Sequence, residues 1–129
     1  EKSYLWPWGN EPPSDGRANL SSTNLQTIDG TTEVGFFSPL GDSPYGVMDM
    51  AGNVYEWVAD WYSSNYYEES PYKNPAGPSQ PFRLDGGNPA RVVRGGSSGY
   101  GTWVSVSSFH DLYEPSNFGS AVGFRCAHD

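Results

Sequence analysis

The stretch NVYEWVADWY, positions 53 to 62, constrains the fold of this chain more than any other. Val54, Glu56 and Val58 alternate with Tyr55, Trp57, Ala59 and Trp61. Period two with β-branched and aromatic side chains is the pattern of a strand, not of a helix. A strand needs partners, and the chain offers short ones in ARVVRGG at 90 to 96 and AVGFRCA at 121 to 127. TTEVGFF at 31 to 37 reads as a further short strand, ended by SPLGDSPYG, which has Pro and Gly where a turn needs them. Residues 9 to 33 and 63 to 90 are dense in turn-forming residues and read as irregular backbone. With no repeats and no heptads, this pattern predicts a loop-rich domain in which long functional loops ride on a small sheet.

The 129 residues fit one domain, large enough to bury a core without disulfides. Aromatic residues make up 16% of it, so large rings are expected to anchor a core that has few aliphatics. The net charge is −8 and the seven Lys and Arg are scattered, which excludes nucleic acid, because phosphates need a clustered basic face. An acidic surface favours solubility and attracts divalent cations. No apolar run approaches the roughly 18 residues of a membrane span, so no membrane insertion is expected, and nothing at Glu1 has the pattern of a signal peptide. The start lacks Met, which leaves processing, trimming and a fragment all open. Cys126 has no cysteine to pair with and, beside Phe124 and Ala127, reads as a buried, inert thiol.

The charges near the strands carry their own requirements. Gly95–Gly96 lets the chain turn sharply after a strand or approach a neighbour closely. Arg94 and Arg125, if buried, each need a carboxylate or several carbonyls. Glu56 shares a strand face with Val54 and Val58, a poor place for a lone carboxylate. Asp49 and the backbone of Gly52 and Asn53 lie just upstream in DMAGN, so hard oxygen donors suited to Ca²⁺ can converge there. The alternative is an ion pair of Glu56 with Arg94 or Arg125 and no metal.

LWPWGNE, YGVMDMAGNVYEWVADWY, RVVRGGS and GFRCA, in this order, resemble the formylglycine-generating-enzyme/sulfatase-modifying-factor family over almost all of residues 4 to 127. The resemblance implies an α+β, C-type lectin-like fold, loop-rich with short antiparallel strands, as a single domain over residues 1 to 129. The family carries further residues before the segment matching PWGN, so a compact version or the C-terminal part of a longer chain is expected. It also implies calcium at Asp49, Gly52 and Glu56. A second calcium site would fall near Asn19, Leu20 and Asp29, where the spacing differs from the family's.

For catalysis the resemblance implies an absence. The family's oxidising members are similar to copper enzymes with two cysteines shortly after RGGS, and soft thiolates are what Cu(I) requires. After Ser97 this chain has no cysteine until Cys126, so no copper is expected and the chain reads as a non-enzyme. His110 and His128 make a poor iron site for the sulfoxide-synthase branch of the family. Ser107 or Ser108 with His110 and Asp111 would be a triad of sequence neighbours, which rarely converge.

What remains is binding. Between RGGS and GFR the chain sets Tyr100, Trp103, Phe109, His110, Asp111, Tyr113 and Phe118 among Ser and Gly, a composition like that of a paratope. Variable proteins of diversity-generating retroelements resemble this arrangement: the same fold, with an RGGS…GFR-like end. Their randomised Asn codons cannot yield Lys, Gln, Glu, Met or Trp. Between Ser98 and Ala121 only Trp103 and Glu114 lie outside the reachable set. The reading is a ligand-binding protein with a variable region at 97 to 122. Its candidate contacts are Gly99, Tyr100, Gly101, Trp103, Val104, Phe109, His110, Asp111, Leu112, Tyr113, Phe118, Gly119, Ser120 and Ala121. The partner would be a variable protein or a surface ligand, met at a virion or cell surface, and an oligomer is compatible with this use. The alternatives are a formylglycine-generating-enzyme-like oxidoreductase and an inactive paralogue whose loop aromatics pack on the scaffold.

Overall fold

The computed structural model describes residues 3–14, 16–21, 30–84, 87–116 and 119–126. Its centre is β1, Tyr55–Trp61, where the alternating sequence predicted a strand. β2, Arg91–Arg94, runs antiparallel to it, with Glu56 opposite Arg94 and Trp57 opposite Val93. β3, Asp111–Tyr113, continues the sheet antiparallel to β2, with Val93 opposite Asp111 and Arg91 opposite Tyr113. β4, Val122–Gly123, pairs parallel with the other edge of β1, giving the order β3-β2-β1-β4. A single-turn helix α1, Tyr66–Glu69, and a 3-10 turn, Thr102–Ser105, are the helical elements among the described residues.

Alternation sorts the side chains at the start of β1, before the ladder shifts register between Trp57 and Trp61 and Ala59 comes out exposed. Tyr55 is buried, and its ring meets Tyr100 and Tyr113 edge-on or tilted, each at 5.6 Å. Trp57 meets Tyr113 at 6.4 Å on the same side. Val93 and Val104 are buried as well, so aromatics and two valines form a core that aliphatics alone are too few to fill. A smaller cluster of Ala18, Leu20 and Ala51 lies under Trp8. At the end of β1, Arg91 stacks its guanidinium 3.9 Å from the centre of the Trp61 ring.

The AGN turn before β1 ties three distant segments together. Gly52 and Asn53 both have positive φ, +78° and 65°. Gly52 donates its N–H to the Gly95 carbonyl (2.7 Å) and Asn53 donates its own to the Asn19 carbonyl (2.9 Å). The Asn53 side chain accepts the Thr32 N–H at 2.8 Å, and its carbonyl accepts the Ser98 N–H at 3.0 Å. A Cβ on Gly52 would run into the Asn19 carbonyl, so only glycine allows this approach.

The structure corrects several expectations. TTEVGFF is not a strand: residues 34 to 40 are turns, and Val34 is 85% exposed. Local bonds from Phe36 to Glu33 and from Ser38 to Gly35 use the groups a ladder would need, and the Gly35 N–H goes to the Asp49 carboxylate at 2.6 Å. AVGFRCA is a strand for only Val122–Gly123. Cys126 is exposed rather than buried, because the chain leaves the sheet before reaching it. β3 lies inside the serine-rich stretch, where no strand was expected.

Candidate binding face

The segment after RGGS is held firmly by its backbone. Arg94 reaches out of β2 and donates Nη1 to the carbonyls of Ser107 and Phe109, each at 3.0 Å. These are the several carbonyls that a half-buried guanidinium requires. Ser107 donates its N–H to the Leu5 carbonyl at 2.7 Å, and Tyr100 accepts the Ser21 N–H at 3.0 Å. Gly96, with φ +73°, lets the chain pass under the 3-10 turn: a Cβ there would lie 2.8 Å from the Val104 side chain.

On this fixed backbone the candidate contacts divide. Tyr100 and Trp103 are exposed, Trp103 to 65%, and Trp103 packs edge-on against Phe109 at 5.1 Å. Gly99, Gly119, Ser120 and Ala121 are exposed and Gly101 is half-buried. His110 lies between Tyr67 (5.2 Å) and Tyr62 (5.9 Å). Asp111, Leu112 and Tyr113 form β3 and are half-buried; Asp111 Oδ1 accepts the Leu112 N–H at 2.8 Å. Val104 is a correction. At 1% exposure it belongs to the core, because the 3-10 turn points it at Gly96, and it has no surface to offer a ligand. Phe118 lies outside the described residues.

Both ends of the segment meet at the start of β1. The Ala121 carbonyl accepts the Tyr55 N–H at 2.8 Å, while the Tyr55 ring packs on Tyr100. Burial, then the neighbouring phenols and Asp111, raises the pKa of Tyr55. Burial, then a hydrogen bond with Tyr100, pushes Tyr113 up to about 12. The phenols are therefore neutral hydrogen-bonding groups beneath the face, without the low pKa of a catalytic phenolate. Sequence reading missed Tyr62 and Tyr67, which flank His110 from outside the segment; the density of tyrosines in WYSSNYYEES was their signal. It also missed the burial of Ser97 and Ser105.

Asp49, Gly52 and Glu56, the residues named for calcium, line one cavity of about 400 Å³ together with Asn53, Val54 and Arg125. Arg125 dominates it. Its Nε donates to Glu56 Oε2 at 2.6 Å, and Nη2 donates to Glu56 Oε1. Nη1 and Nη2 also donate to the carbonyls of Met48 and Asp49, both at 3.0 Å. One Asp49 oxygen accepts the Gly35 N–H. The donors are hard oxygens of the kind Ca²⁺ takes, yet both Glu56 oxygens are engaged by the guanidinium, the ion pair named as the alternative to a metal, and the described residues bring no third carboxylate here. At the second expected site, Asn19 is buried; its amide donates to the Gly30 carbonyl at 2.9 Å, and Asp29 lies outside the described residues.

A four-stranded, loop-rich α+β domain of this form defines the class: a C-type lectin-like fold of the formylglycine-generating-enzyme type. The chain belongs to the sulfatase-modifying-factor family, matching the Sulfatase-modifying factor enzyme 1-like domain over residues 1–129. It is 33% identical over 139 residues to the formylglycine-generating enzyme of Streptomyces coelicolor, an alignment spanning 96% of this chain and 40% of that one. It is 37% identical over 122 residues to the serine/threonine-protein kinase pkn1 of Chlamydia pneumoniae, covering 89% of this chain and 17% of the kinase. The chain thus spans well under half the length of these relatives. Among solved structures, PvdO from Pseudomonas aeruginosa superposes with a TM-score of 0.64 at 26% identity, over 95% of this chain and 42% of PvdO. Treponema denticola variable protein 1 does so with a TM-score of 0.61 at 25% identity, over 84% of this chain and 34% of that protein. Formylglycine-generating enzymes are among its relatives, yet this chain has a single cysteine, Cys126, at the exposed end beyond β4.

Proposed function

We infer that this domain is a non-catalytic binding scaffold whose face between Ser97 and Val122 is diversified by a retroelement. The observation that carries the reading is the separation of roles within one segment. Bonds to its backbone from the Arg94 guanidinium and the Leu5 and Asn53 carbonyls fix its course, while Tyr100, Trp103, Ser120 and Ala121 present side chains to solvent. Such a design tolerates changes at exposed positions without changing the fold. Likeness to a solved variable protein supports it, and so does the lack of a second thiol for copper. Comparing this gene among sibling isolates tests it: differences should concentrate in codons 99 to 121 and spare Val104. Identical codons throughout, with no near-duplicate template nearby, would overturn it.

Calcium belongs to the same proposal. Asp49 and Glu56, with the backbone around Gly52, would hold it, and its charge would fix the turn that leads into β1. Copper is not part of it: metal analysis of the purified protein should find none, and stoichiometric copper would favour the oxidoreductase reading.

A further inference from the structure

We propose that the cleft on the far side of β1, away from Tyr55, binds a small organic acid: one carboxylate on an apolar body. Glu56 and Val58 point to that side, opposite Tyr55 and Trp57 by strand alternation. They front a cavity of about 470 Å³, a size usual for small-molecule sites. Its apolar wall comes from Pro7, Met50, Val58, Val106 and Phe109.

The charge of the cleft points to the ligand. Glu56 faces Arg94 across the β1–β2 ladder, the natural pairing for opposite charges. Yet both Glu56 oxygens are bound by Arg125. Arg94 is left with two carbonyls and, at 3.5 Å, the Tyr67 hydroxyl. Among the described residues the ion pairs are Arg17–Glu11 and Arg125–Glu56, so no carboxylate answers Arg94. The cleft lining therefore carries two guanidiniums and one carboxylate, a net single positive charge, in a chain whose net charge is −8. A half-enclosed guanidinium already held in place by carbonyls is a ready partner for a carboxylate, since little ordering remains to be done on binding. The aliphatic and aromatic walls select an acid with an apolar body over a fully hydrated inorganic anion.

The charged groups of this site, Glu56, Arg94 and Arg125, lie outside residues 97 to 122, so its preference for an acid does not rest on diversification, whereas the Val106 and Phe109 part of its wall lies within that segment. The test is calorimetric titration of the 129-residue chain with 4-phenylbutyrate, 4-phenyl-1-butanol and 4-phenylbutylamine. The acid should bind at least tenfold more tightly than the alcohol, and the amine should not bind. Ser107→Glu places a carboxylate beside Arg94 on an exposed side chain whose carbonyl still holds the guanidinium. It should weaken the acid at least tenfold and leave the melting temperature unchanged, while Ser107→Gln should retain binding. Equal affinity for acid and alcohol, no heat from the acid at millimolar concentration, or Ser107→Glu binding like wild type would each overturn the proposal.

Discussion

Arg125 closes on Glu56 across a sequence separation of 69 residues, joining the end of the chain to the middle of the sheet through a forked ion pair. The same guanidinium holds the Met48 and Asp49 carbonyls. The bond to Glu56, outweighing partial burial, raises the pKa of Arg125 above its ordinary value. Lysine keeps the charge and loses the fork. Both side chains are partly open to solvent, so screening holds the cost of Arg125→Lys to about 1–2 kcal/mol in urea unfolding. A loss near zero would mean that the clasp does not bear on stability.

Neighbouring residues of the 3-10 turn should behave oppositely. Val104→Ala empties part of the core and should cost about 2 kcal/mol. Trp103→Ala removes a largely exposed ring and should change stability by no more than about 0.5 kcal/mol. Paired urea melts of the two variants check this directly.

Gly52→Ala should be far worse than its size suggests. It forces a Cβ onto the Asn19 carbonyl at a φ of +78°. A loss of about 2–4 kcal/mol is expected, with the Asn53, Thr32 and Ser98 amides losing exchange protection together.

The buried phenols set an alkaline limit. Tyr113 titrates near pH 12 when folded, against an ordinary phenol value of 10.0, and Tyr55 is raised too, in each case chiefly by burial. A raised folded pKa gives stability that is complete below the unfolded value and lost as pH climbs through the folded one. Stability should hold steady up to about pH 9 and fall between about 10 and 12, as the folded phenols lose their protons. Tyr113→Phe should shallow that fall.

Chelation offers a separate measurement. If Asp49 and Glu56 hold calcium, adding EDTA should lower the melting temperature by several degrees and Glu56→Gln should remove the response, since a ligand at a hundredfold its dissociation constant adds about 2.7 kcal/mol. Identical melts with and without calcium would leave Arg125 as the sole cation of that cavity.

How much of this was legible in the residues depended on whether a local pattern controlled the outcome. β1 was readable because seven residues alternate over a half-buried surface. The requirement of Arg94 and Arg125 for oxygen partners was readable because desolvation imposes it anywhere. TTEVGFF misled because a short run ended by a turn says nothing about whether a partner strand exists, and the Asp49 carboxylate captured the Gly35 amide instead. β3 was hidden since three residues, Asp-Leu-Tyr, are too few to show a period; it forms because β2 offers an open edge. Val104 looked like its exposed neighbours in sequence, and only the passage of Gly96 beneath it decides its burial.

The meeting of both segment ends at Tyr55 has a practical consequence. Ala121 and Tyr100 reach the same residue of one strand, so the ends of the intervening chain are closed at one place while Arg94 and the β2–β3 ladder hold its middle. Lengthening it after Tyr113 would leave the stitching intact, and doubling a flexible loop adds only about 0.6 kcal/mol of closure entropy. The domain is thus a natural recipient for grafted loops of different lengths, with Glu114 to Ser116 as the place to cut.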